Sequence, residues 1–304
     1  MQTLYGVDSL NSKKQDPLNL SIGELYQRAQ RSLNFQLEQT TALFSYFALI
    51  ACQVALYAEK DAKNRSGKYI RTQEDLNVDT KIVGNEVVVA IMENTHFKQQ
   101  VQSGALESKV DEDWVKVLYR ALVQTEEYKE YVSVKERIPS QERYIFKFLW
   151  TQIMLNNESF NDFLTEDWNN WDDDYELNLI LLEHLLKKPT SFNFVKLSSK
   201  DKIDFAFELM EVTISKDEVL RELLQPRLKN WDPERVATID FILLKMGLAE
   251  FLYFESIPTK VSINEYIEIG KSYSTLQSGQ FINGVLDSAL KELTIENKIN
   301  KIRR

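Results

Sequence analysis

Carboxylates at close spacing are the first candidates for chemistry in this chain. Asp172-Asp173-Asp174-Tyr175-Glu176 places four acids within five residues. Such a run on a helix can hold Mg²⁺ through oxygen ligands and so bind a diphosphate. A competing account is the start of a helix, where carboxylates meet free backbone N–H groups and the positive helix end. The preceding Asn170-Trp171 favours this second account, because a cap with an apolar residue before it resembles a hydrophobic staple. No second metal motif, glycine-rich phosphate loop or HExxH accompanies the run. His96 and His184 are far apart, and the single Cys52 allows no Cys/His zinc set. Cys52 also lies in a strongly apolar stretch, where a thiol is usually inert packing. No catalytic residue, metal or cofactor is therefore expected.

The elements that carry these residues read as helices. The 304 residues include only 9 glycines and 6 prolines. Long windows rich in Leu, Glu, Lys and Gln replace β-branched alternation, which predicts an all-α fold. A helix is expected from Met1, a loop at "NSKKQDPLN", and a long helix or helix pair over 21–63. After a polar stretch, "NRSGKYIRTQEDLNVDT", further helices are expected near 82–102, 112–132 and 140–155, the last with Ser140 ahead of it and Pro139 before that. "ALFSYFALIACQVALYA" (42–58) is slightly short for a membrane span and has no basic asymmetry at its ends, so a buried core helix is expected. One cysteine and no signal-type start fit a reducing, cytoplasmic location. The net charge of −9 opposes general binding to nucleic acid, so any such contact must be local.

The second half repeats itself at a 60-residue offset: Asn170-Trp171-Asp172 aligns with Asn230-Trp231-Asp232, and Glu158 with Glu218. Asp172 and Asp232 are read as helix caps, with Pro233 in the first helical position. Residues 233–254 are apolar in almost every direction apart from Lys245 and the starting turn, as in the central helix of a bundle. Asp240 and Glu250 fall within roughly 80° of each other on its wheel. Two accounts fit Asp240: a carboxylate satisfied by internal donors, or one meeting a partner's basic residues.

A helix from Thr259 follows Pro258, and a polar turn leads to a last helix with Ser278 as its expected cap. In that helix Ile282, Val285, Leu286, Ala289 and Leu293 form the core stripe. Phe281 lies roughly 110° off its centre, beside Gly284 and Ser288. A glycine there costs about 1 kcal/mol relative to alanine. Another helix could press against Gly284, or Phe281 could be partly exposed and stack on an unpaired base.

"NWDPERVATIDFILLKMGLAEFLYFESIPTKVSINEYIEIGKSYSTLQSGQFINGVLDSALKEL" resembles the C-terminal half of the NusB antitermination-factor family, most closely in "IPTKVSINEYIEIGK" and "FINGVLD". "MQTLYG" is similar to part of that family's first helix. The resemblance implies two small helical bundles, with 199–304 as the family-like bundle and 1–198 as an N-terminal helical region carrying an insertion. It implies a non-enzymatic adaptor that binds single-stranded boxA-like RNA of ribosomal RNA transcripts. The implied partners are the ribosomal protein NusE and the antitermination complex on RNA polymerase, with no membrane. Carried over by position, the RNA surface would include Arg227, Lys260, Gln277, Ser278 and Phe281, and the NusE-facing acid would be Asp240. The family's first helix is opened by an arginine-rich segment, whereas here no arginine precedes Arg28. NusE binding is therefore the firmer expectation and RNA affinity the weaker one. A helical protein-binding scaffold without RNA contact is the alternative.

Overall fold

The computed structural model describes residues 1–12, 21–67, 69, 72, 78–228 and 237–302. The described residues are joined into helices and short helical turns, with no strand among them. The helices are α1 (Gln2–Ser12), α2 (Ile22–Ser66), α3 (Glu86–Glu93), α4 (Thr95–Ser103), α5 (Glu112–Gln124), α6 (Glu126–Ser133) and α7 (Pro139–Phe148). They continue with α8 (Glu158–Asp167), α9 (Trp171–Lys187), α10 (Lys200–Ser215), α11 (Asp217–Leu224), α12 (Thr238–Tyr253), α13 (Thr259–Tyr273) and α14 (Ser278–Ile295). The loop expected at 11–19 begins as the end of α1, and its residues 13–19, part of the polar stretch after Asn64, and Asn230-Trp231-Asp232-Pro233 of the repeat lie outside the described residues.

Local chemistry explains where the helices break. The long helix begins with a capping box: the Ser21 N–H donates to Glu24 Oε2 at 2.8 Å, and the Glu24 N–H donates to Ser21 Oγ at 3.3 Å. It then runs as one helix, not a pair. The helix expected over 82–102 is divided at Asn94, whose side chain accepts from the His96 and Phe97 N–H groups. The Asn94 amide also donates to the carbonyls of Pro189, Thr190 and Phe192, so it caps and cross-links at once. The helix expected over 112–132 is divided in the same way at Thr125, which accepts from the Tyr128 N–H at 3.2 Å. Pro139, not Ser140, opens α7, where its missing N–H and fixed φ are harmless. The helix then widens into a π-type turn, Leu149–Met154. At α9 the cap position falls to Asn170, which makes no side-chain cap bond, and Asp172 lies inside the first turn. This corrects the expectation that Asp172 caps the helix.

The contacts divide the chain differently from the expected 1–198 and 199–304. Met1–Phe35 join Ser198–Arg304 in one compact unit, and Gln36–Leu197 form the other. Leu4, Leu25 and Ala29 pack into the core of α10–α14, so the apolar faces of α1 and early α2 are covered by the C-terminal helices. The unit of 36–197 has its own core. There the apolar run of α2 is buried among Trp150, Phe160, Trp168, Trp171 and Phe194. Its helix is long and apolar enough to cross a membrane, but its residues are covered by protein side chains.

Candidate nucleic-acid interface

The helices α12, α13 and α14 converge at positions without side chains. A Cβ on Gly247 would lie 2.9 Å from Leu286 Cδ2 and 3.3 Å from the Tyr266 ring. A Cβ on Gly270 would collide with the end of the fully buried Ile282 side chain, which would have to shift. The close approach of α12 to α13 and α14 is thus a property of Gly247, and that of α13 to α14 a property of Gly270. Gly284 has no part in it: it is exposed, and a Cβ there would meet nothing within 4 Å. The account of Gly284 as a packing glycine does not fit.

The same convergence decides the fate of the expected site residues. Phe281 is 6% exposed and belongs to the core of this unit, so a partly exposed stacking ring does not describe it. Ser278 is buried as well. It is the first residue of α14 and not its cap; Gln277 holds that position without a side-chain bond. The Ser278 hydroxyl accepts from the Thr275 N–H at 3.0 Å and donates to Asp240 Oδ2 at 2.8 Å. It therefore ties the α13–α14 turn to the first turn of α12. Asp240 is 5% exposed, so its carboxylate is not presented for direct contact with a partner, and its other oxygen, Oδ1, is buried without a hydrogen bond. Glu250, the second carboxylate of that helix, accepts from the Tyr266 hydroxyl at 2.5 Å. Burial, then the nearby Glu250 charge and this hydrogen bond, push the Tyr266 hydroxyl well above its ordinary value. Arg227 is also turned inward. Its guanidinium donates to the Leu223 carbonyl and pairs with Glu292 of α14 at 2.6 Å, with the side chain 7% exposed.

Lys260 and Gln277 remain on the surface. Lys260 lies in the first turn of α13 and makes no ion pair among the described residues. A lysine opposes the helix dipole there, so the position does nothing for the helix. The two helix starts also differ from those before them. Every helix from α5 to α12 has an acid in its first turn, whereas α13 and α14 have none. Neither helix carries an acid in its own first turn, although the buried Asp240 carboxylate of α12 meets the start of α14 at Ser278. Free N–H groups at a helix start suit an anion. The structure does not bring Lys260 and Gln277 together, however. They lie at opposite ends of α13, roughly 20 Å apart from the helical rise of 1.5 Å per residue.

Lys245 was visible in the sequence only as an exception in an apolar helix. Buried to 5% exposure, it pairs with Asp217 at 2.7 Å and approaches Asp8 at 3.8 Å, while Arg221 joins both acids. The signal was the need of any buried charge for a partner. Elsewhere, Cys52 is free and buried, and burial pushes its thiol up. Asp174, raised by burial, accepts from the Asn170 amide at 2.5 Å, so the acidic run is built into the start of α9. Among the described residues no three His, Cys, Asp or Glu side chains gather as a metal site.

Residues 173–291 match the NusB family. The transcription antitermination protein NusB of Methylacidiphilum infernorum is 44% identical over 101 residues, which cover 33% of this chain and 70% of that protein. The chain belongs to the NusB family. The protein of the same name from Thermodesulfovibrio yellowstonii is 38% identical over 121 residues, 40% of this chain and 80% of its own length. A third, from Salinibacter ruber, is 44% identical over 101 residues, and the match spans 63% of its length. No solved structure matches the chain. This NusB-family chain is thus longer than the stretch it shares with its relatives, and most of the unit of 36–197 falls outside the matched residues.

Proposed function

We propose that this chain acts in transcription antitermination as a non-enzymatic adaptor. In this reading it binds single-stranded boxA-like RNA together with NusE, on the antitermination complex of RNA polymerase, in the cytoplasm. The observation that carries the reading is the 44% identity over 101 residues to proteins named transcription antitermination protein NusB, with the family match at residues 173–291. The exposed, unpaired Lys260 on an acid-free helix start supports a phosphate contact. Gln277, exposed at the start of α14, is the second contact. Ser278, Phe281 and Asp240 serve from inside: they fix the turn and the α12–α14 junction that hold Gln277 in place, while Arg227 braces the later part of α14 through Glu292. NusE engagement by Asp240 is then indirect, through the position of the α13–α14 turn.

The withdrawal of Arg227 and Phe281 favours a second reading, a protein-binding scaffold without RNA contact. Titration of a labelled boxA oligonucleotide with NusE present separates the two. An affinity that falls with salt, and falls further in Lys260→Glu, supports the adaptor. NusE binding with no RNA signal at any salt supports the scaffold.

A further inference from the structure

The unit of 36–197 carries a groove of about 530 Å³ between α7 and α9, lined by Arg143, Tyr144, Lys147, Glu183, Leu186 and Lys187. We propose that this groove is an additional contact for single-stranded RNA. The proposal rests on the reading of the chain as an RNA binder and assigns a role to a groove that straddles the edge of the family match: Arg143, Tyr144 and Lys147 precede residue 173, while Glu183, Leu186 and Lys187 lie within the matched residues.

Ring exposure is the first support. Tyr144 is 56% exposed, and its ring lies 6.2 Å from that of Phe148, at an interplanar angle of 32°. Phe148, one turn further along α7, is half-buried and packs on the core, so it steadies one side of the tyrosine. The exposed part of the ring is then a fixed platform. Any base has a face that can stack on such a ring, which makes the contact tolerant of sequence.

Charge is the second support. Arg143 and Lys147 stand one helical turn apart on α7, and Lys187 faces them across the groove from α9. Arg143 pairs with Glu86 at 3.3 Å and Lys147 with Glu183. All four side chains are about half exposed, and pairs of this kind contribute about 0–1 kcal/mol. Phosphates can therefore displace the carboxylates at little cost. Lys187 has no ion pair among the described residues, and the exposed Lys188 follows it. Three cations around an exposed ring, on a chain of net charge −9, form a local site for a phosphodiester with unpaired bases and not a general polyanion surface.

The test measures fluorescence anisotropy of a labelled 12-nucleotide oligouridine with the full chain and its variants. Thermal melts check that each variant is folded. Tyr144→Ala is expected to weaken binding about fivefold or more, the lower range for loss of one stacked base, while Tyr144→Phe keeps the affinity. Lys187→Glu is expected to weaken binding and flatten its salt dependence. Unchanged binding in Tyr144→Ala and Lys187→Glu, with a loss in Lys260→Glu, overturns the groove and leaves the antitermination reading standing. The reverse pattern supports the groove and removes Lys260 from the RNA site. Oligouridine that fails to bind at all overturns the groove, while the boxA titration with NusE present still decides the antitermination reading. An oligoglutamate peptide that binds through Lys187 but is insensitive to Tyr144→Ala, in place of RNA, overturns the assignment to nucleic acid.

Discussion

The two units solve the problem of a helical core with different materials. The unit of 36–197 is filled with large rings. Trp150 lies 4.8 Å from Phe47 and 5.4 Å from Phe44, and Phe47 stacks on Trp171 at 5.4 Å. One of its buried polar groups, Glu142, forms a cross-link. Glu142 accepts from the Tyr131 hydroxyl, the Glu86 N–H and Arg137, each at 3.0 Å. The unit containing α10–α14 instead draws its helices together at glycines and places single hydroxyls against carboxylates, Ser278 on Asp240 and Tyr266 on Glu250. A ring-filled core tolerates little loss of volume, and a glycine-joined core tolerates little gain. The unit that matches the family is the second kind, where small changes of helix position would move the surface turn carrying Gln277.

This contrast can be broken by mutation. Trp150→Ala should cause the largest loss, about 3–5 kcal/mol in urea denaturation, because a ring that is fully buried leaves a cavity. Hydrogen exchange in that variant should rise within 36–197 while α12–α14 stay protected; a uniform rise would deny that the two cores differ. Glu142→Ala should cost less, about 1–3 kcal/mol, since it strands the Tyr131 hydroxyl and the Glu86 N–H. A variant as stable as the parent would show the cross-link to be incidental.

The glycines give a smaller effect of opposite sign at two sites in one unit. Gly270→Ala forces Ile282 to move and should lower stability by about 1 kcal/mol, the cost of overpacking less the gain in helix propensity. Gly284→Ala meets open space and should raise stability by up to about 1 kcal/mol. Equal changes at both would refute the close approach at Gly270. The smallest effect concerns acid. Burial pushes the Asp217 carboxyl up, but hydrogen bonds and charges from Lys245 and Arg221 outweigh it and hold it below its ordinary value. Its contribution is therefore present above the ordinary carboxylate value of about 4 and is lost as pH falls through the lower folded value. Melting curves below about pH 4 should be less steeply pH-dependent in Asp217→Asn; an unchanged slope would remove the Lys245 network from the acid response.

Period and punctuation in the chain were enough to fix much of the helical framework. Pro258 before Thr259 announced the start of α13, and the stripe from Ile282 to Leu293 marked the buried face of α14. The apolar run at 42–58 announced the core helix of the unit of 36–197. Breaks at Asn94 and Thr125 were harder to see, because a polar residue inside a helical pattern ends the helix only if its side chain is turned back to cap the next one. The exposure of single side chains was not in the sequence at all. Phe281, off the stripe of its own helix, is covered because neighbouring helices close over it, and Arg227 and Asp240 are drawn inward by Glu292 and Ser278 from α14. Helix type follows from neighbours three and four residues apart along one chain. Which charge is left for a ligand depends on partners tens of residues away, and only the packed helices bring those together.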